Sequence, residues 1–320
     1  MPAPTPETGN SPRTAVIGLG AMGLPMARRL AAGAFPVTVF DIDAERRAAA
    51  IAVGAAEAVT PAGAVRGADV VVLAVRDQAQ VDSALFGETG AAGALRAGAV
   101  VVLTSTVGPV AARATAAALA ERGVRLVDAP VSGGPTRAGE GDLLIVVGAE
   151  PDALDTARPV LERLASTLTV IGDKPGDGQA LKAINQLLAG VHIAAAAEAV
   201  ALARELGLDP RTVIDSLSRG AAGSFMFADR GPRMAQVYED EADPVEVRSR
   251  LDIFVKDMGI VTGIAKDAHV PVPLASAAEQ LYLLGERAGL AAYDDSSIVT
   301  VLSPNTAARP GRFVNPAKGS

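Results

Sequence analysis

Lys182, Asn185 and Gln186 stand three and four residues apart in GDGQALKAINQ, the spacing that puts side chains on one face of a helix. Nearly every other residue from Leu181 to Ala197 is apolar, so an ammonium and two amides there need something polar to face. Lysine can act as a general acid or base because burial brings its amine toward neutrality. The chain has no cysteine and only two histidines, His192 and His269, far apart in sequence, so neither a thiolate nor a His-based metal site is expected. That leaves Lys182 as the best proton-transfer candidate. The plainer alternative is a first-turn lysine whose methylenes carry its head out to solvent.

Two glycine loops offer places for anions. Residues 15–23 read AVIGLGAMG, in which Gly18, Gly20 and Gly23 fit G-x-G-x-x-G between a strand and a helical run. The first glycine permits a tight turn, the second lets a pyrophosphate approach the backbone, and the third allows close packing of helix on strand. The anion then meets the N–H groups and positive dipole of a helix start. A glycine turn in some other α/β protein would match the same pattern. The next strand, Val37–Phe40, ends in Asp41, 21 residues after Gly20, where a carboxylate can accept from both adenosine ribose hydroxyls and repel a 2′-phosphate. Ile42 and Asp43 bring no cation, and Arg46 and Arg47 fall on the next helix, so NAD is expected over NADP. The second loop is DAPVSGGPTRAGEGDL. Ser132, Gly133 and Gly134 combine a hydroxyl with unshielded N–H groups, a nest for a substrate carboxylate, although a plain turn between strands would also use these residues. Lys256 lies in a second apolar helix, where it either reaches the cofactor or forms a solvated pair with Asp257; His192 reads as a packing residue.

The elements that hold these residues follow from the pattern. Strands are expected at Ala15–Gly18, Val37–Asp41, Val70–Val75, Val100–Thr104, Arg125–Asp128, Leu143–Gly148 and Thr169–Ile171, the first four with helical patterns between them. Continuously apolar Val70–Val75 fits a strand covered on both faces. The fold class is therefore α/β, with a mainly parallel, doubly wound sheet of Rossmann type. From Gln179 to Leu206 the chain has helical composition, interrupted only by Gly190, and would span roughly 42 Å at about 1.5 Å per residue. It is apolar nearly all round, so a second domain or subunit must cover it. Further helices at Pro210–Ser218, Pro244–Ala268 and Leu274–Ala288 complete an all-α C-terminal domain. The expected divisions are a leader over 1–12, a cofactor domain over 13–178, a helical substrate and dimerisation domain over 179–303, and a loose tail over 304–320.

Composition narrows the partners. The formal net charge of −7 argues against nucleic acid, which would want a basic face. The N-terminus has no apolar core of a signal peptide, and the most apolar stretch, Leu187–Ala203, holds His192 and Glu198, so no membrane partner is expected and the cytoplasm is the default compartment.

Together these segments resemble the β-hydroxyacid dehydrogenase family, over about residues 13–303. GLGAMGLPMA looks like its cofactor loop, DAPVSGG its substrate loop, GDGQALKAINQ its catalytic segment and FVKDM its later lysine motif. The resemblance implies an NAD-dependent oxidoreductase acting on a small hydroxy acid, with a Rossmann-type domain joined to an all-α domain by a long helix, in homodimers or homotetramers. It implies Lys182 as the catalytic residue, Ser132, Gly133, Gly134, Asn185 and Gln186 on the substrate, Thr106 on the nicotinamide side and Lys256 against the cofactor. The full cofactor set is then Gly18, Leu19, Gly20, Ala21, Met22, Gly23, Asp41, Val75, Arg76, Thr106 and Lys256, with no metal. Many members have two consecutive Asn residues where this chain has Asn185-Gln186, a departure that bears on substrate geometry. QLLAGVHIAAAAEAVALA and LDIFVKDMGIV look closest to the L-threonate dehydrogenase branch, which implies oxidation of a four-carbon sugar acid at C2 to a 2-oxo acid. The 3-hydroxyisobutyrate dehydrogenases and the tartronate and succinic semialdehyde reductases are the neighbouring alternatives. Two rivals stand further off. An imine reductase of related architecture takes a bulkier apolar amine without this lysine, and a non-catalytic NAD-binding regulator needs no lysine constellation.

Overall fold

A computed structural model describes residues 11–239 and 243–304. The expected leader and tail fall outside the described residues, apart from Ser11, Pro12 and Pro304. The chain forms two compact units that divide after Lys182.

The first unit alternates strands and helices. In order these are β1 (Thr14–Ile17), α1 (Gly23–Ala31), β2 (Val37–Phe40), α2 (Ala44–Ile51), β3 (Ala56–Glu57), α3 (Pro61–Ala64), β4 (Val70–Leu73), α4 (Gln78–Phe86), β5 (Val100–Leu103) and α5 (Pro109–Ala120). There follow β6 (Arg125–Asp128), β7 (Val131–Ser132), α6 (Gly134–Glu140), β8 (Leu143–Gly148), α7 (Pro151–Leu164) and β9 (Ala165–Gly172). The sheet order is β3-β2-β1-β4-β5-β6-β8-β7, with β9 also on β8. Pairing is parallel from β3 to β6, and antiparallel where β8 meets β6 and β7. The sheet is the mainly parallel, doubly wound one expected. Successive residues of the central strands turn to opposite cores: Val70, Val72, Val100 and Val102 pack on one face, Val71, Leu73, Val101 and Leu103 on the other. That is why these strands are apolar without alternation. Chain order reverses between β1 and β4, and in open α/β sheets the crevice beyond the strand ends at such a point takes the ligand.

Helix α8 (Asp177–Glu205) runs 29 residues. By length and composition it could cross a membrane, but 56% of its most apolar window is buried within the protein, in keeping with the core helix expected. Gly190 has a packing reason: a Cβ there would run into the Met258 sulfur, and its carbonyl accepts from the buried Tyr282 hydroxyl at 2.8 Å. The second unit continues with α9 (Pro210–Leu217), α10 (Phe225–Gln236), α11 (Leu251–Asp267), α12 (Pro273–Arg287), a 3-10 turn (Asp295–Ile298) and α13 (Val299–Leu302), and has its own apolar core.

Two details depart from expectation. Helix α11 begins at Leu251, not Pro244, because the preceding backbone is occupied elsewhere. Arg248 and Ser249 N–H donate to the Asp294 carboxylate, and the Ser249 carbonyl accepts from Asp295 N–H. Helix α10, unforeseen, forms despite Gly231 and Pro232; Ser224 caps it, and Arg230 and Arg233 pair with the buried Asp295 and Asp294.

Candidate active site

The cofactor loop follows β1 directly, and its three glycines are glycines for different reasons. Gly18 has φ +88°, and a Cβ on it would lie 2.5 Å from the Ala74 carbonyl oxygen. A Cβ on Gly23 would run into the Gly18 carbonyl oxygen. Both positions are dictated by the protein's own packing. Gly20 differs: the nearest atom to a Cβ there is Arg46 Nη1, 4.0 Å away. The protein leaves this space open, in a cleft of about 490 Å³ lined by Leu19, Gly20, Ala21, Leu24, Arg28, Arg46 and Thr136. A cradle closed to side chains at two glycines and open at the third fits a bound dinucleotide diphosphate.

Asp41, just past β2, is buried. Its Oδ2 accepts the Leu19 N–H at 2.6 Å and its Oδ1 the Asp43 N–H at 2.9 Å, so the carboxylate is fixed to the loop it would serve. Arg46 sits on α2 as expected, but its side chain turns back. Its Nε is 3.3 Å from Asp43 Oδ2, and its Nη1 is 3.9 Å from Asp41 Oδ2. A cation therefore does border the Asp41 end of the cleft. Arg47 instead holds Glu57 and the Asp41 carbonyl. Beyond β4, Val75 N–H donates to Ser105 Oγ at 3.1 Å, and Arg76 N–H to Gln80 Oε1 at 3.0 Å. Thr106 follows in a half-buried turn after β5.

The DAPVSGG loop is built on β7, which pairs Val131 with Ile145 and Ser132 with Leu144 across β8. Gly133 and Gly134 have φ of +139° and +76°, conformations open to glycine and strained for other residues. They turn the chain into α6 immediately after Ser132. Lys182, 7% exposed on the second turn of α8, donates from Nζ to Ser132 Oγ at 3.0 Å. The lysine is thus turned inward rather than toward solvent, and it meets the loop that the sequence marks for an anion.

Two residues not singled out from the sequence hold this arrangement. Asp128, the last residue of β6, is fully buried and accepts the N–H groups of Gly176 and Gln179, each at 2.9 Å. It caps the N-terminal end of α8 from a distance, where the dipole favours an anion. Burial pushes its carboxyl up from the usual range, and the hydrogen bonds from Gln179 and Gly176 oppose that shift. Gln179 contributes a second bond to Asp128 through its side chain, Nε2 to Oδ1 at 2.9 Å. Asp128 lies in DAPVSGG and Gln179 in GDGQALKAINQ, and nothing in one-dimensional spacing joins position 128 to 179.

The second unit carries a separate chain of polar contacts. Asn185 Nδ2 donates to Gln186 Oε1 at 2.8 Å, Gln186 Nε2 donates to Asp257 Oδ2 at 2.6 Å, and Lys256 Nζ lies 2.7 Å from Asp257 Oδ1. The amides following Lys182 therefore face the FVKDM segment of α11. Among the described residues no His, Cys, Asp and Glu group could hold a metal ion.

Residues 13–172 match the model of the NAD-binding domain of 6-phosphogluconate dehydrogenase, and residues 176–302 that of the NAD-binding domain of NADP-dependent 3-hydroxyisobutyrate dehydrogenase. L-Threonate dehydrogenase of Cupriavidus necator is 38% identical over 286 residues, which cover 89% of this chain and 94% of that protein. The chain belongs to the β-hydroxyacid dehydrogenase family. L-Threonate dehydrogenase of Escherichia coli K12 is 36% identical, covering 93% of this chain and 97% of its own. A solved Salmonella typhimurium structure described as 3-hydroxyisobutyrate dehydrogenase superposes with a TM-score of 0.84 at 35% identity, over 91% of this chain and all of that one. As a member of this β-hydroxyacid dehydrogenase family the protein is an NAD-dependent oxidoreductase of small hydroxy acids.

Proposed function

We propose that this β-hydroxyacid dehydrogenase oxidises L-threonate at C2 to the 2-oxo acid, with Lys182 as the general base. The observation that carries the chemistry is the buried Lys182 amine 3.0 Å from Ser132 Oγ, beside two glycines at positive φ. The similarity to L-threonate dehydrogenases along nearly the whole chain supports the substrate.

On this reading Ser132, Gly133 and Gly134 bind the substrate carboxylate, which places the C2 hydroxyl toward Lys182. Bound NAD supplies the hydride acceptor. Lys182, as the free amine, takes the hydroxyl proton while C2 gives up its hydride, and the ammonium later loses that proton to water. Asn185 and Gln186 orient the hydroxyl, with Asp257 fixing the amides. Asp41 takes the adenosine ribose, the Gly18–Gly23 loop the diphosphate, and Val75, Arg76, Thr106 and Lys256 border the cofactor.

We also propose a homo-oligomer. Ile184, Leu188 and Leu202 lie on one face of α8 and are 58%, 51% and 60% exposed, a stripe suited to a second copy. Sedimentation of the purified chain should give a dimer or tetramer; a monomer at micromolar concentration would sink this part.

The deciding experiment is NAD and NADP reduction with L-threonate, D-glycerate, 3-hydroxyisobutyrate and 3-hydroxypropionate. The expected result is a kcat/KM for L-threonate with NAD at least about tenfold above the others, roughly one good polar contact. Preference for 3-hydroxyisobutyrate, the activity that describes the Salmonella structure, would replace the substrate assignment. No reduction with any of them would point to a non-catalytic regulator.

A further inference from the structure

We infer that Gln179 is a positioning residue for the reaction, through which the turn bearing Thr106 and the helix bearing Lys182 are held as one rigid piece. The inference rests on the proposed role of Lys182. Gln179 is 1% exposed and cannot touch substrate, so any influence on turnover must pass through its neighbours.

A glutamine amide offers two donor hydrogens and two acceptor sites. Here all four are used. Oε1 accepts the N–H groups of Val107 and Gly108 at 2.9 and 3.0 Å, and Nε2 donates to the Ser105 carbonyl at 3.0 Å and to Asp128 Oδ1 at 2.9 Å. The amide therefore grips the backbone on both sides of Thr106. Its main-chain N–H is held by Asp128 Oδ2, and three residues later on the same helix stands Lys182. Asp128 is the last residue of β6, four positions before Ser132. One side chain thus joins the turn after β5, the strand leading to the substrate loop and the second turn of α8. Ser105 extends the grip, since its Oγ accepts the Val75 N–H. A core that needed only filling would be served by an apolar residue; a saturated amide in a dry site fixes geometry, because any displaced segment leaves buried polar groups unpaired.

The test is Gln179→Glu. One carboxylate oxygen can still accept from Val107 and Gly108, but the other faces the Ser105 carbonyl and the Asp128 carboxylate, two acceptors. The arrangement closes only when a proton is shared between positions 179 and 128. Asp177, at the start of α8, adds to the repulsion at Asp128, and the guanidinium of Arg113 lies beside Gly176. The ratio of Q179E to wild-type kcat is expected near one hundredth at pH 9, the usual cost of about 1 Å of misplacement. It should climb at least about tenfold by pH 6 as the proton returns, with KM for NAD within about threefold of wild type. A ratio flat with pH, or near one throughout, would overturn the proposal. If Q179E does not fold, Gln179→Met keeps the bulk and loses all four bonds. There, a kcat loss with KM for NAD preserved supports the role, and unchanged kcat or equal losses in both overturn it. Lys182→Ala in the same series keeps the two ideas apart: its retained turnover refutes the lysine as base, whereas an inactive K182A with a flat Q179E ratio refutes only the grip.

Discussion

Asp41 Oδ2 accepts the Leu19 N–H at 2.6 Å, so the carboxylate that would read the adenosine ribose also ties down the loop that would hold the diphosphate. With Arg46 Nη1 3.9 Å from the same oxygen, acid and cation share one corner of the cleft. Asp41→Ala should therefore do two things: raise KM for NAD, and free Arg46 to meet a 2′-phosphate. The NAD to NADP ratio of kcat/KM should fall by at least about tenfold, the worth of one charged contact. In Asp41→Ala/Arg46→Ala the gain with NADP should vanish. An unchanged ratio in the single variant would remove Asp41 as the discriminator.

Lys182→Ala should lower kcat by a factor on the order of 10² to 10⁴, the usual contribution of a general acid–base. Stopped-flow NADH formation measures this, with circular dichroism to establish that the fold is intact. Near-wild-type turnover would refute the assignment.

Gly20→Ala and Gly23→Ala should part company. The first adds a methyl whose nearest protein neighbour, Arg46 Nη1, is 4.0 Å away, so its melting temperature should stay within a few degrees of wild type while NAD affinity drops at least about tenfold. The second forces a methyl against the Gly18 carbonyl oxygen and should destabilise by at least about 1–3 kcal/mol, as overpacking does. Thermal melts with and without NAD distinguish them; equal melting temperatures would contradict the packing argument.

Burial pushes the fully buried Asp295 carboxyl up to about 6, against the pull of Arg230 and with the push of Asp294. A carboxyl raised in the folded state binds its proton more tightly there than in the unfolded chain. Its contribution to stability therefore grows as pH falls through about 6 toward 3.8, and is lost above. Wild-type stability relative to Asp295→Asn should rise by about 1–3 kcal/mol between pH 7.5 and pH 5, following about 1.36 kcal/mol per pKa unit. Urea titrations at four pH values would show this. A difference that is constant, or that falls with acidity, would contradict it.

The sheet was legible because its strands are short, β-branched and buried on both faces; Val70–Leu73 could hardly be anything else in that setting. Helix α8 was legible from uninterrupted helical composition. Strand β7 was not, since Val131 and Ser132 pair only because Leu144 and Ile145 lie opposite. Nor was the true start of α11, which the Asp294 carboxylate decides from more than forty residues away. In the site, glycine spacing and the Lys-Asn-Gln face could be read locally. The buried Asp128–Gln179 pair could not, because a polar residue declares itself structural or exposed only once its partners are known.

The amide chain of the second unit has a direction. Asp257 can only accept, so Gln186 must present its NH2 to it, and Asn185 in turn must present its NH2 to Gln186. What remains at the outer end is the Asn185 carbonyl oxygen, an acceptor. One carboxylate on α11 thus decides, through two side chains in series, that the far end of the chain is an acceptor rather than a donor, and a donor in place of Asp257 would favour turning both amides over.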